Sequence, residues 1–239
     1  MNLKNIIIGI VVVLLIYFIY IWMFGDSSRS YLLGMHDAKK KMVIDGSHFP
    51  KGSSADYTYS MWINVSNWNY RAGESKAILS RKNSDNLPAP YISLGANLNN
   101  IEVSLATYAK KSGGSQIHNC SLDNIPLQSW ANIIVTLNNR ALDLYLDGKL
   151  VRTCVLPGVP KQSTGQSLVV CEPPQGGSGG FDGYISNVNY LSRPVNPREA
   201  YAIYREGPGG SNWFTNMFDK YRLKIAFMKE NKEVNSFEI

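Results

Sequence analysis

Two hydrophobic patterns divide the chain. From Ile6 to Phe24 it reads IIIGIVVVLLIYFIYIWMF, nineteen residues without a charge. At a helical rise of about 1.5 Å per residue this stretch covers about 28 Å, close to the hydrocarbon thickness of a bilayer. Backbone groups in that layer find no water, so a helix is the form a lone segment takes there. Ile6 and Leu14 lie in its apolar body. Tyr17, Tyr20 and Trp22 gather towards its C-terminal end, where amphipathic rings sit well among headgroups, and Phe24 closes the run. A cleaved signal peptide would have a shorter apolar region, about 7–15 residues, ending in small residues. Here the run passes through bulky Trp22, Met23 and Phe24 before Gly25-Asp26. The pattern predicts a retained single-pass anchor over 1–24, with the lipid bilayer as partner.

From residue 57 the period is two. Tyr57, Tyr59, Met61, Ile63 and Val65 alternate with Thr58, Ser60, Trp62 and Asn64, as in a half-buried strand. The same alternation recurs around Ile101, Val103 and Leu105, around Ile133, Val135 and Leu137, and around Leu142, Leu144 and Leu146. Asp147-Gly148 is a strong hairpin turn, after which Leu150 to Val155 returns. Ser167–Cys171 and Tyr184–Tyr190 are further strands. Many short strands joined by Gly/Pro/Asn turns, without helical crossovers, predict an all-β antiparallel sandwich or jelly roll. Trp130, Ile133, Val135, Leu144, Leu146, Ile185 and Val188 are the expected core. One helix is well specified: Asn196 as N-cap, Pro197 at the first position and Glu199 at the third predict a helix to about Arg205, ended by Gly207-Pro208. The predicted organisation is an anchor over 1–24, a connector over 25–50, the sandwich over 51–208 and a tail over 209–239. In the tail, 211–220 suits a short amphipathic helix. Tyr221–Phe227 and Val234–Ile239 suit a hairpin.

Charge bears on orientation. Lys4 precedes the span, while Arg29 and Lys39-Lys40-Lys41 follow it. By the positive-inside bias this leans the C-terminal part towards the cytoplasmic side. Asp37 and Asp45 flank the lysines, and three fall short of a lipid-binding cluster, so a solvated connector is the better reading. The net charge of +6 comes from scattered residues, without a basic block interleaved with aromatics, so nucleic acid is not an expected partner. No repeat of fixed period is visible. The three cysteines, Cys120, Cys154 and Cys171, are too few for a disulfide scaffold and lack zinc spacing. A Cys120–Cys154 bridge would close a loop of about 35 residues and stabilise by about 2–4 kcal/mol. The alternative is a pair of buried thiols in a reducing cytosol. Two sequons, at Asn64 and Asn119, matter only on the lumenal side.

Two stretches together resemble the laminin-G-like branch of the concanavalin A-like lectin/glucanase superfamily. Trp130–Val151, WANIIVTLNNRALDLYLDGKLV, has a tryptophan opening a strand, a short turn and a strand ending in Tyr-x-Asp-Gly-Lys. Phe181–Pro208, FDGYISNVNYLSRPVNPREAYAIYREGP, places a glycine before the last core strand and a short helix after an Asn-Pro turn. Tyr59–Val65 is similar to the family's first long strand. Gly183 is expected at a close backbone approach or bulge, where the apolar phase slips between Ile185 and Val188. More narrowly, the anchor, the sandwich and a YRLKIAFMKENKEVNSFEI tail resemble proteins of large nucleocytoplasmic DNA viruses, particularly those of algae. That resemblance implies a virion protein on the internal membrane beneath a capsid, with other capsid proteins as partners.

The glucanases of this superfamily use carboxylates spaced E-x-D-x-x-E, because glycoside hydrolysis needs an acid and a nucleophile flanking the bond. That spacing is absent here. Asp143 and Asp147 come nearest, and period two turns them outward. His36, His48 and His118 fall in predicted loops outside any Ser/His/Asp pattern, so no catalytic residue is expected. The resemblance brings calcium into view, with Asp56, Asp123, Asp147 and Asp182 as candidates. Turn formation explains these residues better, and no cofactor or metal is expected. Trp62, Trp68 and Tyr70 are candidates for stacking on a glycan, with packing against a neighbouring loop or the tail the preferred reading for Trp62. In the tail, Trp213, Phe214, Met217, Phe218, Tyr221, Arg222 and Lys224 are residue types enriched in interface cores, while capping the sandwich itself is the competing role. The leading expectation is a non-enzymatic, membrane-anchored minor capsid protein linking membrane and shell. A membrane-anchored lectin or adhesion module is the alternative.

Overall fold

The computed structural model describes residues 9, 11–19, 28–50, 55–109, 114–173, 179–209, 224–229 and 232–238. Residues 11–19 are helical (α1), with their apolar side chains exposed. The rest of the predicted anchor, including Ile6, Tyr20, Trp22 and Phe24, lies outside the described residues. Among the described residues no helix is long and apolar enough to cross a membrane.

Two antiparallel sheets stack face to face. The first runs β1 (Arg29–Leu33), β13 (Asp182–Leu191), β4 (Tyr57–Asn67), β9 (Trp130–Asn138), β10 (Ala141–Leu146), β11 (Lys149–Val155), with β2 (His36–Asp37) also on β13. The second runs β3 (Met42–Ile44), β12 (Leu168–Val170), β5 (Lys76–Lys82), β6 (Pro88–Leu94), β7 (Asn100–Tyr108), β8 (Ser115–Asp123). Met61, Ile63 and Val65 of β4 and Ile133 and Val135 of β9 meet Ile92 of β6 and Ile101, Val103 and Leu105 of β7 in one core cluster. Each such side chain contributes about 1.5–3 kcal/mol by leaving water. Of the expected core, Ile133, Val135, Leu144, Ile185 and Val188 are buried. Trp130 and Leu146 are only half-buried, because they stand at strand ends beside the turn, although Leu146 still packs on the cluster.

The clean alternation of β4 breaks down in three dimensions. Thr58, Ser60 and Trp62 are buried too, so both faces of this central strand are covered. The outer cover is α2 (Pro197–Arg205), which begins with the expected capping box between Asn196 and Glu199. Ala200 and Ile203 of α2 join Val195, Ile134, Tyr145 and Leu191 in a second apolar cluster on that face. The β10–β11 turn has Asp147 at φ 49° and Gly148 at φ 74°, the type I′ geometry. The β13–β4 ladder shifts register between Asp182 and Gly183 and again between Ser186 and Asn189, the second shift falling where the apolar phase slips.

The segment expected as a connector is partly sandwich. Residues 29–44 supply β1, β2 and β3, which extend both sheets. Strands this short carry too few residues to display a period. Within the tail, β14 (Lys224–Lys229) and β15 (Lys232–Glu238) form the expected hairpin. Trp213, Phe214, Met217, Phe218, Tyr221 and Arg222 lie outside the described residues, and Lys224 is described only as part of the β14 backbone.

Candidate functional site

The start of β4 and the end of β13 from one sheet face the end of β5 and the start of β6 from the other. Between them lies a half-open cavity of about 410 Å³. Its walls are aromatic: Phe49, Tyr57, Tyr59 and Tyr190. The ring centroids of Phe49 and Tyr190 are 4.9 Å apart, those of Tyr59 and Tyr190 5.1 Å, and those of Tyr57 and Tyr59 5.4 Å. Gln162, Ser163 and Thr164 add polar groups from the loop before β12.

Among the described residues one charged side chain enters this cavity. Arg81 is only 5% exposed, because β5 carries it two residues past Leu79 into the space between the sheets. Its guanidinium carbon stands 3.7 Å from the centre of the Phe49 ring and 5.8 Å from that of Tyr190. Nε donates to the carbonyl of Gln166 at 3.1 Å, and Nη1 donates to the Tyr59 hydroxyl at 3.3 Å. The Tyr57 hydroxyl is buried and makes no hydrogen bond. Burial pushes the Tyr57 phenol well above the usual range. It also raises Tyr59 and Tyr190, against the opposing pull of Arg81. At neutral pH these three phenols are therefore neutral.

The residues singled out in the sequence do other work. Trp62 is 5% exposed and stacks on Tyr204 of α2 with ring centroids 5.5 Å apart, so no sugar reaches it. Trp68 lies under the Lys76 ammonium at 4.6 Å, and Tyr70 under that of Lys39 at 5.4 Å. The four aspartates proposed for calcium do not converge, and among the described residues no three metal-binding side chains gather. Asp56 accepts from the Asn139 amide at 2.6 Å and Asp147 from the Asn132 amide at 2.8 Å. Asp182 pairs with Lys39 at 2.8 Å, and Asp123 closes β8 in the open. Asp143 accepts from the Thr153 hydroxyl. Two histidines depart from the loop expectation: His36 is in β2 and His118 on β8, while His48 ends a 3₁₀ turn, Gly46–His48. The lysine run is part of the fold, since Lys39, Lys40 and Lys41 meet Asp182, Asp37 and Glu172 at 2.8, 3.6 and 2.5 Å. Cys120 of β8 and Cys154 of β11 are bridged, with Cα atoms 6.2 Å apart, and Cys171 is a buried free thiol.

Arg81 and its ring cage escaped sequence reading. Its stretch, AILSR, is buried at every position, which erases the alternation that would have marked Arg81 as inward-facing.

Two stacked antiparallel sheets with a cavity at one end define a lectin-like β-sandwich. The chain belongs to the concanavalin A-like lectin/glucanases superfamily, a laminin-G-type family model of which matches residues 39–200. A comparison with curated proteins finds no match. Among solved structures, the chain is similar to the receptor-binding domain of botulinum neurotoxin C/D mosaic serotype (TM-score 0.55, 15% identity, 72% of this chain and 42% of that one). The receptor-binding domain of botulinum neurotoxin D is also similar (TM-score 0.56, 12% identity, 75% and 53%). A third is the botulinum neurotoxin serotype D ligand binding domain in complex with N-acetylneuraminic acid (TM-score 0.55, 15% identity, 72% and 42%). The chain spans about half or less of those chains, and at such identity the likeness is one of fold. None of these three neighbours is a virion protein.

Proposed function

We propose that this chain is a membrane-anchored, non-enzymatic carbohydrate-binding module, with the sandwich displayed on the extracytoplasmic side. The observation that carries this reading is the half-open aromatic cavity of about 410 Å³ at one end of a lectin-type sandwich. Its volume lies within the range of small-ligand sites, and its rings and hydroxyls suit the apolar faces and polar edges of a sugar. A similar sandwich occurs in a neurotoxin domain solved with N-acetylneuraminic acid. The acid–nucleophile pair that hydrolysis needs has no counterpart in Asp143 and Asp147, which serve the β10–β11 hairpin and its neighbours. The apolar run over 6–24 supports the anchor. The Cys120–Cys154 bridge supports an oxidising compartment, and it is weighed above the lean that the lysine run gives towards the cytoplasm.

The capsid-linking reading rests on the anchor, the charge lean, the missing catalytic residues and the tail resemblance, and no contact described for the fold favours it. The test is a glycan array probed with the full chain in detergent micelles, together with glycosidase treatment of the native protein to read Asn64 and Asn119. Binding to a defined group of glycans is expected. An array without binding at millimolar glycan overturns the assignment.

A further inference from the structure

We infer that the Arg81 cavity takes a sugar bearing a carboxylate, held by the guanidinium of Arg81 and the hydroxyl of Tyr57. This rests on the carbohydrate-binding reading above and narrows it to one ligand class.

Three observations lead there. Arg81 is 5% exposed, and among the described residues no carboxylate pairs with it. Its contacts are one carbonyl, the phenols of Tyr59 and Tyr190 and the Phe49 face, all neutral. Ring stacking recovers part of the cost of burying a cation, but an isolated buried charge calls for an opposite one. The bonds from Nε and Nη1 use two of the five N–H donors of the guanidinium, so donors of the planar fork remain for a ligand. The second observation is the Tyr57 hydroxyl on the same cavity, buried and without a partner. Of the buried side-chain atoms without a partner among the described residues, it is the one that lines this cavity with Arg81, which points to a shared ligand. The third is the lining as a whole. Among the described residues it contains one cation and no anion, and the remainder is aromatic rings, polar side chains and small apolar residues. The guanidinium fork matches a carboxylate with two parallel hydrogen bonds. A single positive charge balances a carboxylate and leaves a phosphate dianion undercompensated. The rings and the Ser163–Thr164 side then face the rest of the sugar, and the volume suits one monosaccharide unit.

The experiment titrates the full chain in detergent micelles with N-acetylneuraminic acid and with glucuronic acid, each against its methyl ester, by calorimetry. The acids should bind about 10–100-fold more tightly than the esters, the range of one charge-assisted contact set. Arg81→Gln should remove that preference, with Arg81→Lys falling between. Tyr57→Phe, which keeps the ring packing and removes only the unpartnered hydroxyl, should weaken the acids several-fold and leave the melting temperature unchanged or higher. Equal affinity of acids and esters overturns the inference while leaving carbohydrate binding in place. So does an Arg81→Gln protein that is folded and binds acids as before. Should Arg81→Gln fail to fold, the acid–ester comparison on the native chain and the Tyr57→Phe protein decide the matter. Binding of inorganic phosphate without affinity for any sugar overturns both readings.

Discussion

Opening the Cys120–Cys154 bridge is the perturbation whose size follows most directly from the structure. The two cysteines are separated by 34 positions and join β8, an edge of one sheet, to β11, an edge of the other. β11 is exposed along nearly its whole length, so little apolar burial holds that edge. For a loop of this size the chain-entropy model gives about 13 cal/mol/K, or about 4 kcal/mol at 25 °C. At 2–4 °C per kcal/mol for a domain of this length, reduction should lower the melting temperature by about 8–16 °C. The assay is thermal denaturation followed by tryptophan fluorescence with and without reductant. Mass spectrometry after denaturation and alkylation counts thiols alongside it. Unreduced protein should alkylate once, at Cys171, and reduced protein three times. Three alkylated cysteines in unreduced native protein would refute the bridge and with it the argument for an oxidising compartment. A melting temperature that reduction shifts by less than about 2 °C would refute the entropic reasoning while leaving the bridge.

Three further outcomes are expected. Gly183→Ala should cost more than about 3 kcal/mol in a urea titration. A Cβ there would sit 1.9 Å from the Asn64 carbonyl oxygen at φ 153°, and the β13–β4 ladder would have to part; a loss under 1 kcal/mol would contradict this. Trp62→Ala should cost about 3–5 kcal/mol and speed amide exchange across Pro197–Arg205, because it removes the ring on which Tyr204 rests; unchanged exchange there would show that α2 is held elsewhere. Stability should fall as the pH rises above about 9. Burial raises Cys171 from 9.0 to about 12 and raises Tyr57, Tyr59 and Tyr190, so between the unfolded and folded values the native state keeps protons that the unfolded chain has lost. A melting temperature that is flat from pH 8 to 11, or a Cys171 that reacts with iodoacetamide in native protein at pH 8.5, would contradict that reasoning.

What the sequence determined by itself is local. The Asp147-Gly148 turn, the capping box at Asn196 and Glu199, and the alternation of β4, β9 and β10 are read from neighbouring residues, because φ preference, capping and pleat act over a few positions. Those elements were enough for the sandwich and the family. β8 went unread, since only Cys120 and Leu122 of this edge strand are buried, too few to display an apolar phase. Residues 29–44 passed for a connector because β1, β2 and β3 are held mainly by partners in β12 and β13, some 125–160 positions away. Tertiary structure alone decided the face of Trp62, which α2 covers, and the partners of the lysine run. It also decided the cavity. Phe49, Tyr57, Tyr59, Arg81 and Tyr190 come from segments up to 141 positions apart. Nothing in the residues next to Arg81 says that its charge will be buried unpaired, because burial belongs to the packing of two sheets and not to either strand.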